Sequence, residues 1–507
     1  MKRGVAAGLI AMVLGLALVA GAVSVVLLRS GPAPDPEPLE ATAPAGLERF
    51  YAQEPSWRDC GEHRCTTIEV PIDYDDPEGD TLELAVRRVP ATGDGGKVIF
   101  ANPGGPGGSA QDFVGYLASR LPGDLRRTHD VVGIDPRGVG ESTPLRCLSD
   151  AEFDEFIDTD PDPDDAAGIT ALSEAVRAMG EACHRNSGEL AAHVSTEEAA
   201  RDHDIARAVL GQEKMIWFGF SYGTQLGATY AELFPDKVGA MVLDGAVDVT
   251  LDAVDSGLGQ ATGFQQALEA YLAYCVGLER CPVGGSVDAG MDTITDLMQQ
   301  LSDRPLRARG GRLLTEGRAF YGIAMALYSK ETWSFLTTAL DGLVDGNADL
   351  LLALSDAYFE RRSDGSFANN SGQVIYAVNC LDEADAPDAR ETAELIDRFR
   401  TVSPVFGAAL GWGVMACHDW PIEATHPQRA VRAEGAPPIL VVGTTRDPAT
   451  PYAWSEAMAS QLESGVLLTR EGDGHTAYTS GNECITDAVD AYLRDGTVPK
   501  DGTVCAE

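Results

Sequence analysis

The sequence predicts an α/β fold: a mostly parallel sheet with helices on both faces, interrupted by a large helical insertion. Three observations carry this. Apolar runs at 98–102 and 131–135 end in glycine-rich turns, and further runs at 215–220 and 240–244 alternate with helical segments at 197–210 and after Gly223. The alternation resumes late, with runs at 439–443 and 466–469 and helices after Thr450 and after Cys484. Between about 250 and 420 the period is helical instead, in segments such as 263–276 and 319–328. Strand–helix alternation implies parallel strands buried under helices, because a parallel crossover needs a helix-length connection. The runs 67–74 and 82–89 precede it as an antiparallel opening pair.

Composition limits the function classes before any motif is read. The 507 residues carry 38 basic and 78 acidic side chains, a formal net charge of −40. Nucleic-acid binding is excluded on that ground, since a phosphate backbone needs a clustered basic surface. With 44% hydrophobic and 23% charged residues, the chain is composed like a globular protein with a sizeable core.

Met1-Lys2-Arg3 precedes an uncharged stretch of 25 residues, 4–28, closed by Arg29. A spanning helix needs about 20 apolar residues and the apolar region of a cleaved signal peptide about 7–15. Residues 1–29 therefore read as a signal anchor, with a signal peptide cleaved near Ala20-Gly21-Ala22 as the alternative. The leading positive charges put the amino terminus inside and the body outside. An extracytoplasmic protein is expected, associated with the membrane through its amino-terminal helix or secreted after cleavage. The proline-rich segment 30–48 reads as a semi-rigid linker. The body divides into a first core part, 49–250, a helical cap, 251–420, and a second core part, 421–507.

Ten cysteines, an even number, suit an oxidising compartment. They are Cys60, Cys65, Cys147, Cys183, Cys275, Cys281, Cys380, Cys417, Cys484 and Cys505, and pairing neighbours gives five short loops of four to 36 intervening residues. None of these spacings supplies a convincing zinc site, so no metal is expected.

The chemistry sits at strand ends. Gly219-Phe220-Ser221-Tyr222-Gly223 is a G-x-S-x-G sequence with an apolar run before it and a helix-compatible segment after it, the setting of a strained turn that exposes a serine hydroxyl. The five letters alone are weak; the strand–turn–helix context carries the weight. Serine at its ordinary pKa is a poor nucleophile and needs a base. Only His418, His426 and His475 follow Ser221, and of these His475 alone follows the last strand. The acid that orients the imidazole should end the preceding strand, where Asp447 stands. Two backbone donors are expected for the oxyanion, Tyr222 after the nucleophile and Gly105 or its neighbour in the glycine-rich run 102–109. Thr450, three residues past the acid, is read either as a hydroxyl supporting the triad or as a helix N-cap.

Several of these runs also resemble a known family. NPGGPGGS at 102–109, DPRGVGES at 135–142, GFSYGTQLG at 219–227, LDGAVD at 243–248, AVNCLD at 377–382, DPATPY at 447–452 and GHT at 474–476 are similar to runs in the actinobacterial tripeptidyl aminopeptidases. These are secreted α/β-hydrolases related to proline iminopeptidases, and they include a mycobacterial cell-envelope serine protease. The resemblance covers about residues 50–505. It implies an α/β-hydrolase fold with a helical cap and a TAP-like carboxy-terminal region. It further implies a serine peptidase that removes short amino-terminal peptides from peptide or protein substrates without a cofactor. The absence of any cysteine before Cys60 leaves lipid anchoring outside the resemblance. A free substrate amine in a closed site needs a carboxylate, for which Asp382 is the first candidate and Glu383 the second, held by a Cys380–Cys417 bridge; the alternative is that 381–388 is a solvated acidic run. A carboxylesterase is the alternative activity, and a non-catalytic binding module the remote one.

Overall fold

The computed structural model describes residues 35–39 and 43–507. The expected amino-terminal anchor and part of the linker lie outside the described residues. Among the described residues, no helix is long and apolar enough to cross a membrane.

Three strands open the fold: β1 (Arg58–Cys60), β2 (His63–Pro71) and β3 (Thr81–Val89). β4 (Lys97–Asn102), β5 (His129–Ile134), β6 (Met215–Phe220) and β7 (Val238–Asp244) follow. A short hairpin, β8 (Leu306–Arg307) with β9 (Leu313–Leu314), belongs to the insertion. β10 (Ile439–Arg446), β11 (Gly465–Asp473) and β12 (Thr503–Cys505) complete the set. One ten-stranded sheet has the order β1-β2-β3-β5-β4-β6-β7-β10-β11-β12. Pairings are antiparallel up to β3–β5 and parallel from β5 onward.

The central strands are apolar on both sides because both faces are covered. Trp217, Met241, Leu243, Ile439 and Val441 point to one core, with the helices Thr196–Val209 and Tyr222–Leu233. The alternate residues Phe218, Phe220, Val242, Leu440 and Val442 point to the other, with Ala110–Arg120 and Glu483–Asp495. That period of two is the pleat of a strand.

Between β7 and β10, helices run from Ala253–Val276 to Gly407–Gly413 around a separate core of Leu268, Leu272, Ile323, Leu336, Leu351 and Phe406. Two helices between β5 and β6, Asp150–Ile157 and Ala166–Ser187, have no counterpart in the sequence reading. The longer one buries little besides Val176, Met179, Gly180, Ala182 and Cys183, so its apolar period is faint. β10 and β11 run further than expected, and Cys484 lies inside the last helix. The cysteines pair in chain order: Cys60–Cys65, Cys147–Cys183, Cys275–Cys281, Cys380–Cys417 and Cys484–Cys505.

Candidate active site

Ser221, Asp447 and His475 all stand at the carboxyl ends of parallel strands. Ser221 occupies the turn from β6 into Tyr222–Leu233 with φ 55°. Its N–H donates to the Asp244 carbonyl at 3.0 Å. The turn is tight enough to forbid side chains on either flank. A Cβ on Gly219 would lie 2.1 Å from the Gly223 carbonyl oxygen, and one on Gly223 would lie 2.6 Å from that of Asn102.

Register brings the acid and the base together. β10 and β11 pair with Arg446 opposite Asp473, so the chain leaves both strands side by side, into Asp447 on one and Gly474-His475 on the other. His475 Nδ1 lies 2.8 and 3.0 Å from the two oxygens of Asp447. The Asp447 carboxylate is 1% exposed and also accepts N–H groups of Ala449, Thr450 and Thr476 at 2.9–3.0 Å. Such a carboxylate is held firmly in place to orient the ring. Burial works against a charged His475, but the charge and hydrogen bond of Asp447, with Asp244 behind, outweigh it and hold the imidazole above its usual value.

Thr450 does not cap the next helix; Pro451 holds that position. Its hydroxyl lies 3.3 Å from His475 Nδ1. In the glycine-rich run, Gly104 presses against the elbow: a Cβ there would lie 2.7 Å from Ser221 Cβ and 3.0 Å from the Tyr222 nitrogen. The Gly104 N–H is taken by the Asn102 side chain at 2.9 Å. The Tyr222 N–H belongs to a first helical turn, where backbone donors lack intrahelical acceptors.

The insertion reaches this site directly. The His475 N–H donates to the Tyr328 carbonyl at 2.8 Å, and the two rings meet edge to face at 5.2 Å. Behind Tyr328 stand Tyr358 and Tyr321, with centroid spacings of 6.4 and 4.9 Å along the row. Burial pushes all three phenols up, so this wall is neutral at any physiological pH.

Asp382 is enclosed. Its oxygens accept the Thr196 N–H at 3.0 Å, the Thr196 hydroxyl at 2.6 Å and the Gln225 amide at 3.0 Å. The Thr196 hydroxyl in turn lies 2.7 Å from the Tyr222 hydroxyl. Burial pushes the Asp382 carboxyl up to about 7 against those hydrogen bonds. Glu383 is half-buried, and its carboxyl is raised by burial and by the neighbouring charges of Asp252 and Asp385. Among the described residues no cluster of His, Cys, Asp and Glu could hold a metal.

The sequence reading missed Asp244, the Thr196–Gln225 pair and the Tyr328 carbonyl. Only Asp244 left a signal, an acidic residue closing an otherwise apolar central strand.

A serine held at positive φ between strand and helix, on the same sheet rim as a buried aspartate–histidine pair, is what the α/β-hydrolases share, and this chain is one of them. Residues 403–505 match the α/β-hydrolase family described as TAP-like protein. The chain is 39% identical to serine protease Hip1 of Mycobacterium tuberculosis over 87% of both chains. It is 38% identical to carboxylesterase B of the same organism over 90% of both. With the tripeptidyl aminopeptidase of Streptomyces lividans it shares 30% identity over 89% of this chain and 86% of the relative. The protein belongs to this TAP-like family of serine hydrolases and peptidases.

Proposed function

We propose that the protein is an exported aminopeptidase that releases short peptides, of tripeptide length, from free amino termini through an acyl-enzyme on Ser221. The observation that carries the chemistry is the buried Asp447–His475 pair on the rim that also holds Ser221. Its support as a peptidase is the similarity to serine protease Hip1 and to tripeptidyl aminopeptidase. Five disulfides support a location outside the cytoplasm.

In this mechanism Ser221 Oγ attacks the scissile carbonyl carbon and its proton passes to His475 Nε2. The tetrahedral oxyanion is held by the N–H groups of Tyr222 and Gly105, since the Gly104 N–H is already taken. As the intermediate collapses, the protonated His475 gives its proton to the departing amine. Water then attacks the acyl-enzyme with His475 again as base, and the ester bond to Ser221 breaks. Asp447 keeps the ring oriented throughout. The Thr450 hydroxyl steadies the ring from the side of Nδ1.

For the substrate ammonium, Glu383 is the stronger of the two expected carboxylates. Asp382 has both oxygens occupied by Thr196 and Gln225, so a cation would have to displace them. Glu383 carries a carboxyl kept high by burial and by like charge, which a bound ammonium would relieve. The Cys380–Cys417 bridge tethers this segment.

The similarity to carboxylesterase B supports a second reading, ester hydrolysis. A panel of free peptides, the same peptides acetylated, and short-chain esters separates the two. Release of tripeptides from free peptides only is expected. Equal cleavage of acetylated peptides, or turnover of esters alone, would overturn the aminopeptidase reading.

A further inference from the structure

We propose that Asp244 is a positioning residue for this reaction, one that ties the serine turn and the histidine loop to a single point of the sheet. The inference rests on the serine hydrolase reading above. Asp244 ends β7, next to β6 on one side and β10 on the other. Its main-chain carbonyl accepts the Ser221 N–H at 3.0 Å. Its side chain reaches the opposite way: Oδ1 accepts the Ala477 N–H and Oδ2 the Tyr478 N–H, each at 2.8 Å. The same residue thus holds the nucleophile by its backbone and the base by its side chain.

The histidine loop needs such a hold. Thr476, directly after His475, has φ 67°, a left-handed conformation that a β-branched residue resists. Three consecutive N–H groups follow the histidine. That of Thr476 goes to Asp447 Oδ2 at 3.0 Å, and those of Ala477 and Tyr478 go to Asp244. Two carboxylates from different strands therefore clamp the loop, and only one of them touches the imidazole. Without Asp244 the loop is free to relax toward an ordinary conformation, carrying the ring away from Ser221.

The environment of Asp244 sets it apart from a plain helix cap. Its side chain is fully buried, and the ionisable groups facing it are His475, Asp447 and Arg470. Burial pushes its carboxyl up to about 6 despite the two hydrogen bonds, so at neutral pH it is ionised in a place that disfavours charge.

The test is Asp244→Asn, which keeps the shape but offers one acceptor instead of two, run beside Ser221→Ala. With a free tripeptide-releasing substrate, kcat is expected to fall by about tenfold or more while KM stays within about twofold, and the melting temperature to stay close to the parent's. A second variant, Thr476→Gly, removes the resistance to positive φ; in that background the loss on Asp244→Asn is expected to shrink. Unchanged kcat, a melting temperature that drops in step with activity, a chain that no longer folds, or losses that simply multiply would each overturn the proposal. If Ser221→Ala keeps its activity, the serine reading itself fails; if Ser221→Ala is inactive and Asp244→Asn is not impaired, only the role of Asp244 fails.

Discussion

The sheet rim and the helical insertion hold their functional groups by different means. On the rim, Ser221, Asp447 and His475 hang from strand ends whose spacing is set by backbone hydrogen bonds, and buried carboxylates saturate the N–H groups around them. The insertion has its own hydrophobic core, but its later helices also pack Phe359, Val374, Ala377 and Leu381 into the core of the body, and polar contacts add to this. Arg318 bonds Asp154 and Asp158, Arg361 bonds Asp154, and the Tyr328 carbonyl takes the His475 N–H. Rim geometry is therefore over-determined. The insertion is placed by side-chain packing, such as Phe153 against Phe359 and Phe367, together with ion pairs that are individually weak where exposed. The comparison teaches that main-chain hydrogen bonds fix the rim, whereas side-chain packing and ion pairs fix the insertion against it.

The sharpest way to test the rim is Asp447→Asn. It leaves His475 without the charge that orients it, and kcat is expected to fall roughly 10³- to 10⁴-fold. The base must be neutral to accept the serine proton, so kcat/KM rises with pH through the pKa of His475. That limb should lie above the ordinary 6.5 in the parent, where Asp447 raises it. It should move down in the variant, where burial remains and the charge is gone. A kcat/KM profile from pH 5 to 9 decides; an unmoved limb would mean that the pair does not set the histidine.

A smaller loss is expected from Gly104→Ala. The added Cβ would meet the Phe220 carbonyl oxygen at 2.6 Å and Ser221 Cβ at 2.7 Å, at a residue with φ +100°. Pushing this run off the elbow disturbs the oxyanion donors, for which about 10²-fold in kcat is expected, with a lowered melting temperature. Unaltered single-turnover acylation would show that the run plays no part in the chemistry.

Arg318→Met probes the other region. The Arg318 side chain is 2% exposed, while its partners Asp154 and Asp158 are 26% and 45% exposed, so the loss of stability is expected to be about 1–3 kcal/mol rather than that of a fully buried pair. Peptide KM should rise while the turnover of a small activated ester stays near the parent's. Equal loss on both substrates would erase the distinction between rim and insertion. The smallest effect belongs to Thr450. Thr450→Ser keeps the hydroxyl near His475 and is expected to stay active, while Thr450→Val loses about three- to tenfold in kcat, the scale of one neutral hydrogen bond. Since Pro451 is the N-cap, both should melt within a few degrees of the parent.

Most of the fold, and the positions of Ser221, Asp447 and His475 at strand ends, were legible before the structure. Apolar runs a strand long and the glycines around Ser221 are local signals, each encoded within about ten residues of chain, and the order serine, aspartate, histidine is read from the chain without knowing any contact. Helix Ala166–Ser187 escaped because its buried side is made largely of small residues. The expectation for Asp382 was drawn from the need for a carboxylate at the insertion's late end, and nothing in the chain reveals that Thr196 and Gln225 occupy its oxygens.

By itself, then, the sequence determined the strand–helix alternation, the helical character of the insertion and the placement of Ser221, Asp447 and His475 after apolar strands, because periodicity and turn strain are properties of neighbouring residues. Tertiary structure alone decided which buried groups meet. Asp244 is 233 residues from Ala477, and Thr196 is 186 from Asp382. A hydrogen bond across such a distance leaves no period and no spacing in the chain; it exists only once the sheet has aligned its strand ends.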